Sequence, residues 1–523
     1  MTAERKEENA MAIEKDIAEA AAWVKSLAHE GAHLRLDSRA VRPGDVFVAV
    51  PGATVDGRNF IRVAAARGAA GVLYEARDDV PAGEHYPVAA RGVKNLKAHL
   101  GEVAAAFYDM PSARMTGIAV TGTNGKTTTA FWTAQLLTKL GAPCGVIGTV
   151  GTFFNGRTFE APELTTPDAV SLQGIYADLA AAGAKAFAVE ASSVGLEQGR
   201  LTGSAFSVGI FTNLSRDHLD YHRTMQAYED AKAELFRWPG LGAAVLNAND
   251  PVSAHFASVA CEHGAALWFT GTDGRASELA RAWPGARVLE ADQIAMGERG
   301  MRFRLTFGEQ VETVEIAQLG VFNIENMLGV AAAALACGYS FDAVVAQLGA
   351  LEAPPGRLEP VYAEGMPLGV VDFAHTPDGL EKTLESLAPA ARARGGKLWV
   401  VFGCGGDRDP GKRPMMGEIA AKLAERVVVT SDNPRSEPPE AICRAVEAGA
   451  RRVESASPVD VIVDRREAVI HAVLEAEPRD IVLVAGKGHE TEQITREGAH
   501  HFSDVEVLRE AFNERRVRLL AKA

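Results

Sequence analysis

The residues with the clearest chemical meaning form a short loop rich in glycine and threonine. In order, they are Gly122, Thr123, Asn124, Gly125, Lys126, Thr127 and Thr128. Glycines let a backbone approach an anion closely, and the N–H groups at a helix start favour phosphate. The lysine adds positive charge for the outer phosphates, and the next hydroxyl can hold Mg²⁺. The loop therefore indicates a site for a nucleoside triphosphate and its magnesium ion.

The stretches on either side of this loop are those that a phosphate site requires. An apolar run at 118–120 predicts a strand before the loop, and a helical pattern follows it. Only Thr123 and Asn124 separate the two glycines, fewer than in the general phosphate-loop signature, so the strict pattern fails. A glycine-rich turn with a surface lysine is the plain alternative. The order of strand, loop and helix favours the phosphate loop.

Polar residues follow other predicted strands of the same region. Glu190 ends one apolar run, and Asp217 and His218 come after another. Ligands of doubly wound sheets bind beyond the carboxyl ends of the strands, so we expect these residues beside the loop. A carboxylate and an imidazole there can complete the coordination of Mg²⁺. For His218 alone, a histidine satisfied within its own loop is the alternative.

The C-terminal third carries four more polar clusters after predicted strands, at 372–377, 403–409, 431–435 and 486–490. Structural loops rarely need arginine together with carboxylates each time, so the clusters predict a second ligand site. Near the N-terminus, Ser38 and Arg39 could bind a phosphorylated ligand. Taken alone, they also fit a turn with a solvated arginine.

The order of predicted elements gives an α/β protein of three domains. A small α/β domain spans 1–112, and a doubly wound parallel sheet that carries the phosphate loop spans 113–352. A third α/β domain spans 353–523, after a stretch with the rigid pair Pro354 and Pro355. A chain of 523 residues is too long for one core, which agrees with several domains.

Composition narrows the class of protein and its partners. The net charge of −14 argues against a nucleic-acid partner. Five cysteines without metal-ligand spacing indicate reduced thiols. No apolar run is long enough to span a membrane, and the polar N-terminus is unlike a signal peptide. We expect a cytoplasmic monomer whose partners are small molecules, without a membrane or nucleic-acid partner.

Together, these motifs resemble the Mur ligase family of ATP-dependent amide-forming enzymes. The loop at 122–128 is similar to that family's own variant of the phosphate loop, which accounts for the failed general pattern. The resemblance runs from Leu34 to the C-terminus. It implies a three-domain architecture with a central P-loop doubly wound sheet and a C-terminal Rossmann-like domain. The run 432–435 resembles the signature of members that add meso-2,6-diaminopimelate, rather than lysine, to UDP-N-acetylmuramoyl-L-alanyl-D-glutamate in peptidoglycan precursor synthesis.

The resemblance also implies roles for individual residues. ATP binding is implied for Gly122, Thr123, Asn124, Gly125, Lys126, Thr127, Thr128, Asn323, Asn326, Arg357, Asp372 and His375. Contacts with the UDP-linked dipeptide are implied for Leu36, Ser38, Thr165, Thr166, Ser192, Gln198, Arg200 and Lys232. Contacts with diaminopimelate are implied for Arg408, Asp432, Asn433, Pro434, Arg435, Gly486 and Glu490. Magnesium coordination is implied for Thr127, Glu190, His218 and Lys232, and catalytic roles for Lys126, Lys232 and His218.

Three of these implications add detail or doubt. Lys232 matches a lysine that the family modifies to a carbamate, although residue type alone predicts a solvated helix lysine. Val194 and Phe373 stand where the family usually has histidine and tyrosine, and neither change removes a charged group.

Arg435 offers a planar fork for the second carboxylate of diaminopimelate. Asn433 and Glu490 could then accept hydrogen bonds from its distal ammonium. A proline turn with a solvated arginine is the plain alternative.

The reaction implied is carboxylate activation by ATP. Transfer of the γ-phosphate gives an acyl phosphate, which the incoming amine attacks, and the protein positions the groups and neutralises charge. A folate polyglutamate ligase is one alternative, disfavoured by the first domain and by the run 432–435. A nucleotide-dependent switch without amide chemistry is another, and it would need neither Lys232 nor the polar clusters after residue 369.

Overall fold

The computed structural model describes residues 3–52, 55–76, 86–160, 164–297, 300–453 and 457–521. The chain forms two compact units. The first comprises Met1–Gly271, Arg275–Leu289 and Gly329–Val344, and the second Thr272–Gly274, Glu290–Leu328 and Val345–Ala523. Four elements contain residues of both units: Ala266–Thr272, Arg287–Gly297, Val321–Ala336 and Phe341–Leu348. The predicted domain borders at 112 and 352 do not coincide with these units and stay a prediction.

The first unit begins with the helix Ala3–Leu27 and a four-stranded parallel sheet. Its strands, in spatial order, are Leu34–Arg35, Val46–Ala49, Gly71–Glu75 and Ala89–Val93. The helices Ile61–Ala66 and Leu100–Phe107 follow the second and fourth strands, and short 3₁₀ turns lie at Gly57–Phe60, Leu96–His99 and Pro111–Arg114. Alternate residues of Val46–Ala49 enter two different apolar clusters, as the two faces of a strand require.

A second sheet of the first unit carries the phosphate loop. Its strands, in spatial order, are Ala266–Thr272, Ala243–Asn247, Val208–Phe211, Thr116–Thr121, Ala186–Glu190, Cys144–Gly148, Gly151–Phe154 and Arg157–Glu160. The first six are parallel and the last two add an antiparallel edge, so the sheet is mixed where a parallel one was predicted. The helices are Lys126–Lys139, Ala169–Ala181, Ser193–Glu197, Leu219–His222, Met225–Ala233, Ser253–Glu262 and Arg275–Ala280, and a 3₁₀ turn spans Glu234–Arg237.

The second unit contains an antiparallel pair, Gly300–Phe307 with Gln310–Ile316, and a six-stranded sheet. The order in that sheet is Glu359–Val361, Leu368–Asp372, Ile481–Ala485, Leu398–Phe402, Arg426–Val429 and Val459–Val461, antiparallel only at the first pair. Its helices are Pro377–Ala393, Lys412–Leu423, Pro439–Ala450, Arg465–Glu475 and Asp504–Leu520, and Glu492–Thr495 pairs with Gly498–His501.

Both faces of this six-stranded sheet are buried. In the strand Leu398–Phe402, Leu398, Val400 and Phe402 join one apolar cluster, and Trp399 and Val401 join the other. A strand buried on both faces is expected where helices cover a parallel sheet, and it explains the continuous apolar run in the sequence. Among the described residues, no helix is long and apolar enough to cross a membrane.

Candidate active site

The phosphate loop has the geometry that the sequence predicts. It connects the strand Thr116–Thr121 to the helix Lys126–Lys139, with Gly125 as the helix cap at φ 82°. Gly122 lies at φ 148°, and a Cβ there would be 1.9 Å from Thr212 Oγ1, so the position tolerates only glycine. The loop is braced by the segment that follows Val208–Phe211. Thr123 N donates to Asn213 O at 2.7 Å, and Thr212 Oγ1 donates to Asn124 O at 2.6 Å.

Lys126 curls over the loop. Its Nζ donates to Gly122 O at 3.0 Å and to Thr123 O at 2.8 Å. Both acceptors are backbone carbonyls of the loop, so the ammonium is held at the start of the helix, where the backbone also favours an anion.

Glu190 is the centre of a buried polar cluster behind the loop. The residue is only 1% exposed. Oε2 accepts from Thr127 Oγ1 at 3.1 Å and from Thr149 Oγ1 at 3.2 Å, and Oε1 accepts from Thr149 N at 2.8 Å. Among the described residues, no Lys, Arg or His lies within ion-pair distance of this carboxylate, although buried carboxylates normally have a cationic partner. Hard oxygen donors around an unpaired buried charge fit Mg²⁺.

Lys232 is buried, which contradicts the prediction from residue type of a solvated helix lysine. The residue is 1% exposed, its Nζ donates to Gly122 O at 2.8 Å, and it lies 4.2 Å from the centre of the Tyr228 ring. Burial, together with the charge of Lys126, lowers the pKa of Lys232 well below its usual value. Burial therefore favours the neutral form of the amine beside the phosphate loop.

Tyr228 joins several of these groups, and the sequence analysis missed it. Its hydroxyl lies 3.1 Å from Thr123 Oγ1, and its ring lies 6.2 Å from the ring of His218. His218 itself is half exposed, with its Nε2 3.6 Å from Asp217 Oδ2. It has φ 51°, a conformation that is uncommon for a residue other than glycine. Among the described residues, no hydrogen bond or ion pair joins His218 to Glu190.

Residues predicted to contact the dipeptide form a continuous hydrogen-bonded set. Thr166 Oγ1 donates to Glu190 O at 2.6 Å and lies 2.9 Å from Ser192 Oγ, while Thr165 Oγ1 accepts from Thr149 Oγ1 at 3.2 Å. Arg200 Nη1 donates to Thr166 O at 3.0 Å, and its Nη2 donates to Gln198 Oε1 at 2.7 Å. Burial lowers the pKa of Arg200. These residues therefore reach the Glu190 cluster through shared bonds.

The remaining predicted residues of the first unit lie just after the strand Leu34–Arg35. Leu36 packs against the apolar cluster of the N-terminal sheet, and Ser38 is buried in the turn that follows. Arg39 lies in the same turn and pairs with Asp37 at 2.7 Å, but its side chain is 83% exposed, which agrees with the alternative of a turn with a solvated arginine. The hydrogen bond from Arg39 lowers the pKa of Asp37.

In the second unit, an aromatic ring organises the residues predicted to contact ATP. Phe373 lies 5.0 Å from the guanidinium of Arg357, 4.6 Å from the ring of His375 and 5.3 Å from that of His489. The Phe373 ring therefore makes a cation–π contact with Arg357.

Asp372 is buried beside this ring. Its carboxylate accepts from Leu358 N and Ala374 N at 2.8 and 2.9 Å. Burial raises the pKa of Asp372, and the charge of Arg357 opposes the rise. In the helix Val321–Ala336, Asn326 Nδ2 donates to Asn323 Oδ1 at 3.4 Å. Asn323 Nδ2 donates to Leu319 O.

The cluster predicted for diaminopimelate assembles at the carboxyl ends of neighbouring strands. Asp432, Asn433 and Pro434 are buried, and Arg435 is part-buried at φ 52° with its Nη1 2.8 Å from Gly406 O. A Cβ on Gly486 would be 2.6 Å from Asp432 Oδ2, so only glycine leaves room for that carboxylate. Arg408 is exposed in the loop at 403–409.

Asn433 is bonded to other groups of the protein. Its Oδ1 accepts from Lys487 Nζ at 3.0 Å and from Ile494 N at 2.9 Å, and its Nδ2 donates to Glu490 Oε2 at 2.8 Å. The amide oxygen is thus occupied by protein donors and is a poor acceptor for a ligand ammonium. Lys487, which the sequence analysis did not single out, is fully buried in this cluster.

A buried ion pair lies beneath the same strand ends. Arg465 donates to both oxygens of Asp504 at 2.8 Å, and both side chains are fully buried. Arg465 also donates to Ser431 O at 3.3 Å and to Ala485 O at 3.0 Å, the residues just before Asp432 and Gly486. Burial alone would lower the pKa of Arg465, but Asp504 more than compensates and raises it. This pair positions the loops that carry the cluster.

Comparisons with known proteins agree with these features. Three family models match the chain: Mur ligase family, catalytic domain, at 32–108; Mur ligase middle domain at 120–334; and Mur ligase, glutamate ligase domain, at 356–488. A UDP-N-acetylmuramoyl-L-alanyl-D-glutamate--2,6-diaminopimelate ligase of Janthinobacterium sp. (strain Marseille) is 45% identical over 88% of this chain and 90% of its own length. A ligase of the same name from Ralstonia nicotianae is 44% identical over 95% and 96%.

A solved structure of a ligase with this name is also similar. It is 35% identical to this chain, has a TM-score of 0.68, and the match covers 92% of this chain and 95% of the other. The three family models together span most of the chain, and the relatives align over nearly its full length. The strand–loop–helix phosphate site and the polar clusters after the strands of the second unit thus lie on a three-domain fold, and this chain belongs to the Mur ligase family.

Proposed function

We propose that this protein joins meso-2,6-diaminopimelate to UDP-N-acetylmuramoyl-L-alanyl-D-glutamate at the expense of ATP, in peptidoglycan precursor synthesis. One observation carries the proposal. Relatives that bear this ligase's name are 44–45% identical over about nine tenths of the chain, which also has the phosphate loop and the run 432–435. A cytoplasmic, monomeric enzyme without nucleic-acid or membrane partners is part of the proposal, since its substrates are small polar molecules.

The chemistry needs an activated carboxylate. A carboxylate oxygen of the dipeptide attacks the γ-phosphorus of ATP, which gives an acyl phosphate and ADP. The amine of diaminopimelate then attacks the acyl carbon, the amide forms, and phosphate and a proton leave. Positioning and charge neutralisation are the protein's main contributions to such transfers.

Lys126 is the cation proposed to meet the transferring phosphate. Its Nζ rests on the carbonyls of Gly122 and Thr123, at the loop where the phosphates would lie. The carbonyls keep the ammonium oriented, so little reorganisation is needed when phosphate charge develops. Thr123, Asn124, Gly125, Thr127 and Thr128 complete the loop proposed to bind the phosphates.

Thr127 and Glu190 are the residues proposed to hold Mg²⁺, with His218 and modified Lys232 as further ligands. The support is the buried Glu190 carboxylate, which the described residues leave without an ion-pair partner. When bound, Mg²⁺ would neutralise phosphate charge and orient the phosphate oxygens. Thr149 holds both oxygens of Glu190 and keeps the carboxylate in place.

Lys232 is proposed to carry a carbamate. The neutral amine attacks CO₂, forms an N–C bond and loses one proton. The product is an anionic carbamate, which offers oxygen ligands. The lowered pKa of Lys232 supplies the neutral amine that this step requires. Gly122 O, Tyr228 and Lys126 surround the amine, and the positive charge of Lys126 would favour the anionic product.

The substrates are assigned to two regions. Leu36, Ser38, Thr165, Thr166, Ser192, Gln198 and Arg200 are proposed to contact the UDP-linked dipeptide, and Arg408, Asp432, Asn433, Pro434, Arg435, Gly486 and Glu490 diaminopimelate. Asn323, Asn326, Arg357, Asp372 and His375 are proposed to contact the nucleotide. The support is that Thr166 and Arg200 are bonded into the Glu190 cluster. In the second unit, Asp432 and Arg435 follow the strand Arg426–Val429, and Glu490 follows the strand Ile481–Ala485. Only the strand Leu398–Phe402 lies between these two in the sheet.

A phosphate-release assay tests the proposal. The purified protein is mixed with ATP, Mg²⁺, the UDP-linked dipeptide and one amino acid from a panel that includes meso-diaminopimelate, lysine and glutamate. We expect release only with the dipeptide and diaminopimelate together. Release with a folate acceptor and glutamate would instead identify a folate polyglutamate ligase. Release without any amino acid would identify a nucleotide switch.

A further inference from the structure

The buried side chain of Lys487 lies among the residues proposed to bind diaminopimelate. Its Nζ donates to Asn433 Oδ1 at 3.0 Å, to Glu490 Oε2 at 2.9 Å and to Glu492 O at 2.6 Å. All three partners are acceptors, so all three N–H bonds of the ammonium are used. A fully buried lysine with this set of partners is a charged, fixed group.

Lys487 fixes the orientation of the Asn433 amide. Two donors, Lys487 Nζ and Ile494 N, face one end of that amide, so this end must be the oxygen. The NH₂ end therefore points to Glu490 Oε2 at 2.8 Å. Lys487, Asn433 and Glu490 form a closed triangle of hydrogen bonds, here named the Lys487 triangle.

The same triangle decides which oxygen of Glu490 can meet a ligand. Oε2 accepts from both Lys487 and Asn433. Among the described residues, no donor bonds Oε1, and the Glu490 side chain is 36% exposed. Oε1 is thus the oxygen available to an ammonium group.

The charge of Lys487 also matters for the choice of substrate. Arg408, Arg435 and Lys487 bring three cations to the cluster. Asp432 and Glu490 bring two carboxylates, which leaves one net positive charge. The distal end of diaminopimelate carries one ammonium and one carboxylate, and it has no net charge. The distal end of lysine is a single cation. A positive cluster accepts the first and repels the second.

We propose that Lys487 is a positioning and specificity residue. It aims Oε1 of Glu490 at the distal ammonium of diaminopimelate, and its charge makes the cluster positive so that lysine is rejected. This inference rests on the proposed function, since it concerns the amino acid that the second unit selects.

The test compares kcat/KM for diaminopimelate and for lysine in the full-length enzyme. Lys487→Met removes the three donors and the charge and keeps a side chain of similar length. Leaving buried acceptors without donors costs roughly 10- to 100-fold in kcat/KM for diaminopimelate. Without Lys487 the formal charges of the cluster cancel and no longer repel a cation, so we expect the ratio of diaminopimelate to lysine efficiency to fall by about 10-fold or more. KM for ATP should change by less than about 2-fold, because the triangle lies among amino-acid ligands.

Two further variants separate this role from a structural one. Lys422→Met removes an exposed lysine that pairs with Glu418 at 2.6 Å, and it should leave the ratio unchanged. Lys487→Met combined with Glu490→Gln removes one charge of each sign. The combination should therefore recover discrimination against lysine relative to Lys487→Met alone. If Lys487→Met does not fold, the double variant is compared with Glu490→Gln alone. The ratio of diaminopimelate to lysine efficiency should then be lower in the double variant than in Glu490→Gln.

The outcomes are distinct. A folded Lys487→Met enzyme with an unchanged ratio would refute the inference, as would equal losses with both amino acids. A double variant that discriminates no better than Lys487→Met would refute the charge argument in the same way. A wild-type enzyme that releases no phosphate with diaminopimelate would refute the proposed function before any variant is compared.

Discussion

The buried amine of Lys232 makes a prediction about stability that does not depend on turnover. Its pKa in the folded protein is well below the value of 10.5 for a free lysine side chain, because of burial and the charge of Lys126. Between these two pKa values, the unfolded chain binds a proton that the folded chain does not. Folding stability must therefore rise with pH in that window, and fall as the pH is lowered.

The magnitude follows from proton linkage. One proton of difference gives a slope of about 1.4 kcal/mol per pH unit. For a unit of this size, 1 kcal/mol moves Tm by roughly 2–4 °C, so the slope corresponds to about 3–5 °C per pH unit. Lys232→Met lacks the titrating group and keeps the apolar stem. The wild-type Tm minus the variant Tm should therefore increase with pH by this amount.

The assay is thermal unfolding of both proteins at one scan rate, at several pH values below the free-lysine pKa of 10.5, in buffer free of CO₂. Loss of the bond to Gly122 O shifts the Tm of the variant by a constant, so only the slope is diagnostic. Lys185→Met, which removes an exposed lysine, should give a flat difference. Added bicarbonate should raise the Tm of the wild type and not that of Lys232→Met, because only the wild type can form the carbamate. A flat difference between wild type and Lys232→Met over this range would refute a lowered pKa of Lys232.

The other predictions concern turnover, specificity and folding. Lys126→Ala should lower the rate of phosphate release by roughly 10²–10³-fold in a folded protein, and a near-normal rate would remove the loop from the mechanism. Lys232→Ala should abolish turnover, with partial rescue by a short-chain carboxylic acid that supplies the missing oxygen ligand; full activity without the acid would refute that role. Arg435→Ala should raise KM for diaminopimelate and erode a preference over lysine that sites of this kind set at roughly 10⁴-fold. Wild-type enzyme that used both amino acids equally would contradict this. Arg465→Leu should lower the free energy of unfolding by about 3–5 kcal/mol in denaturant titrations, because it leaves Asp504 as an unpaired buried charge. The double variant Arg465→Leu with Asp504→Leu should recover part of the loss.

The positions of the catalytic loops were predictable because they follow local patterns. The strand Thr116–Thr121 and the helix Lys126–Lys139 lie where apolar periodicity predicts them. In the second unit, the strand Leu398–Phe402 is buried on both faces, and its sequence is correspondingly apolar throughout. Polar residues directly after such strands must meet at one edge of a parallel sheet, which is why the clusters could be found without a structure.

The environment of single side chains could not be predicted in this way. Lys232 lies between Ala231 and Ala233 in a short helix, with Tyr228 one turn earlier. Small neighbours and an aromatic ring at that spacing are a weak signal for burial, and residue type outweighs it. The antiparallel edge formed by Gly151–Phe154 and Arg157–Glu160 was missed because a hairpin needs only a short turn between two short strands.

Long-range partners leave even less trace in a sequence. Asn433 and Lys487 are separated by 54 positions, and Arg465 and Asp504 by 39. No periodic pattern relates residues at such separations. That Asn433 accepts a bond from the substrate stays a prediction, and the bonds of its oxygen to Lys487 and Ile494 could not be foreseen from the sequence.

Three of the buried basic residues, Lys232, Arg465 and Lys487, show how a folded chain can bury a basic group, and each solution has a different consequence. Arg465 keeps its charge by pairing with the carboxylate of Asp504, so it is a fixed support. Lys487 keeps its charge by donating to three acceptors, one of which belongs to Glu490, so it can orient a ligand-binding group. Lys232 has a single carbonyl acceptor and an aromatic ring, which cannot offset the cost of burial, so its pKa falls. Of the three, only Lys232 is left with a lone pair, and only a lone pair can react with CO₂. The number of acceptors around each nitrogen therefore separates the residue proposed for covalent modification from the two proposed for positioning.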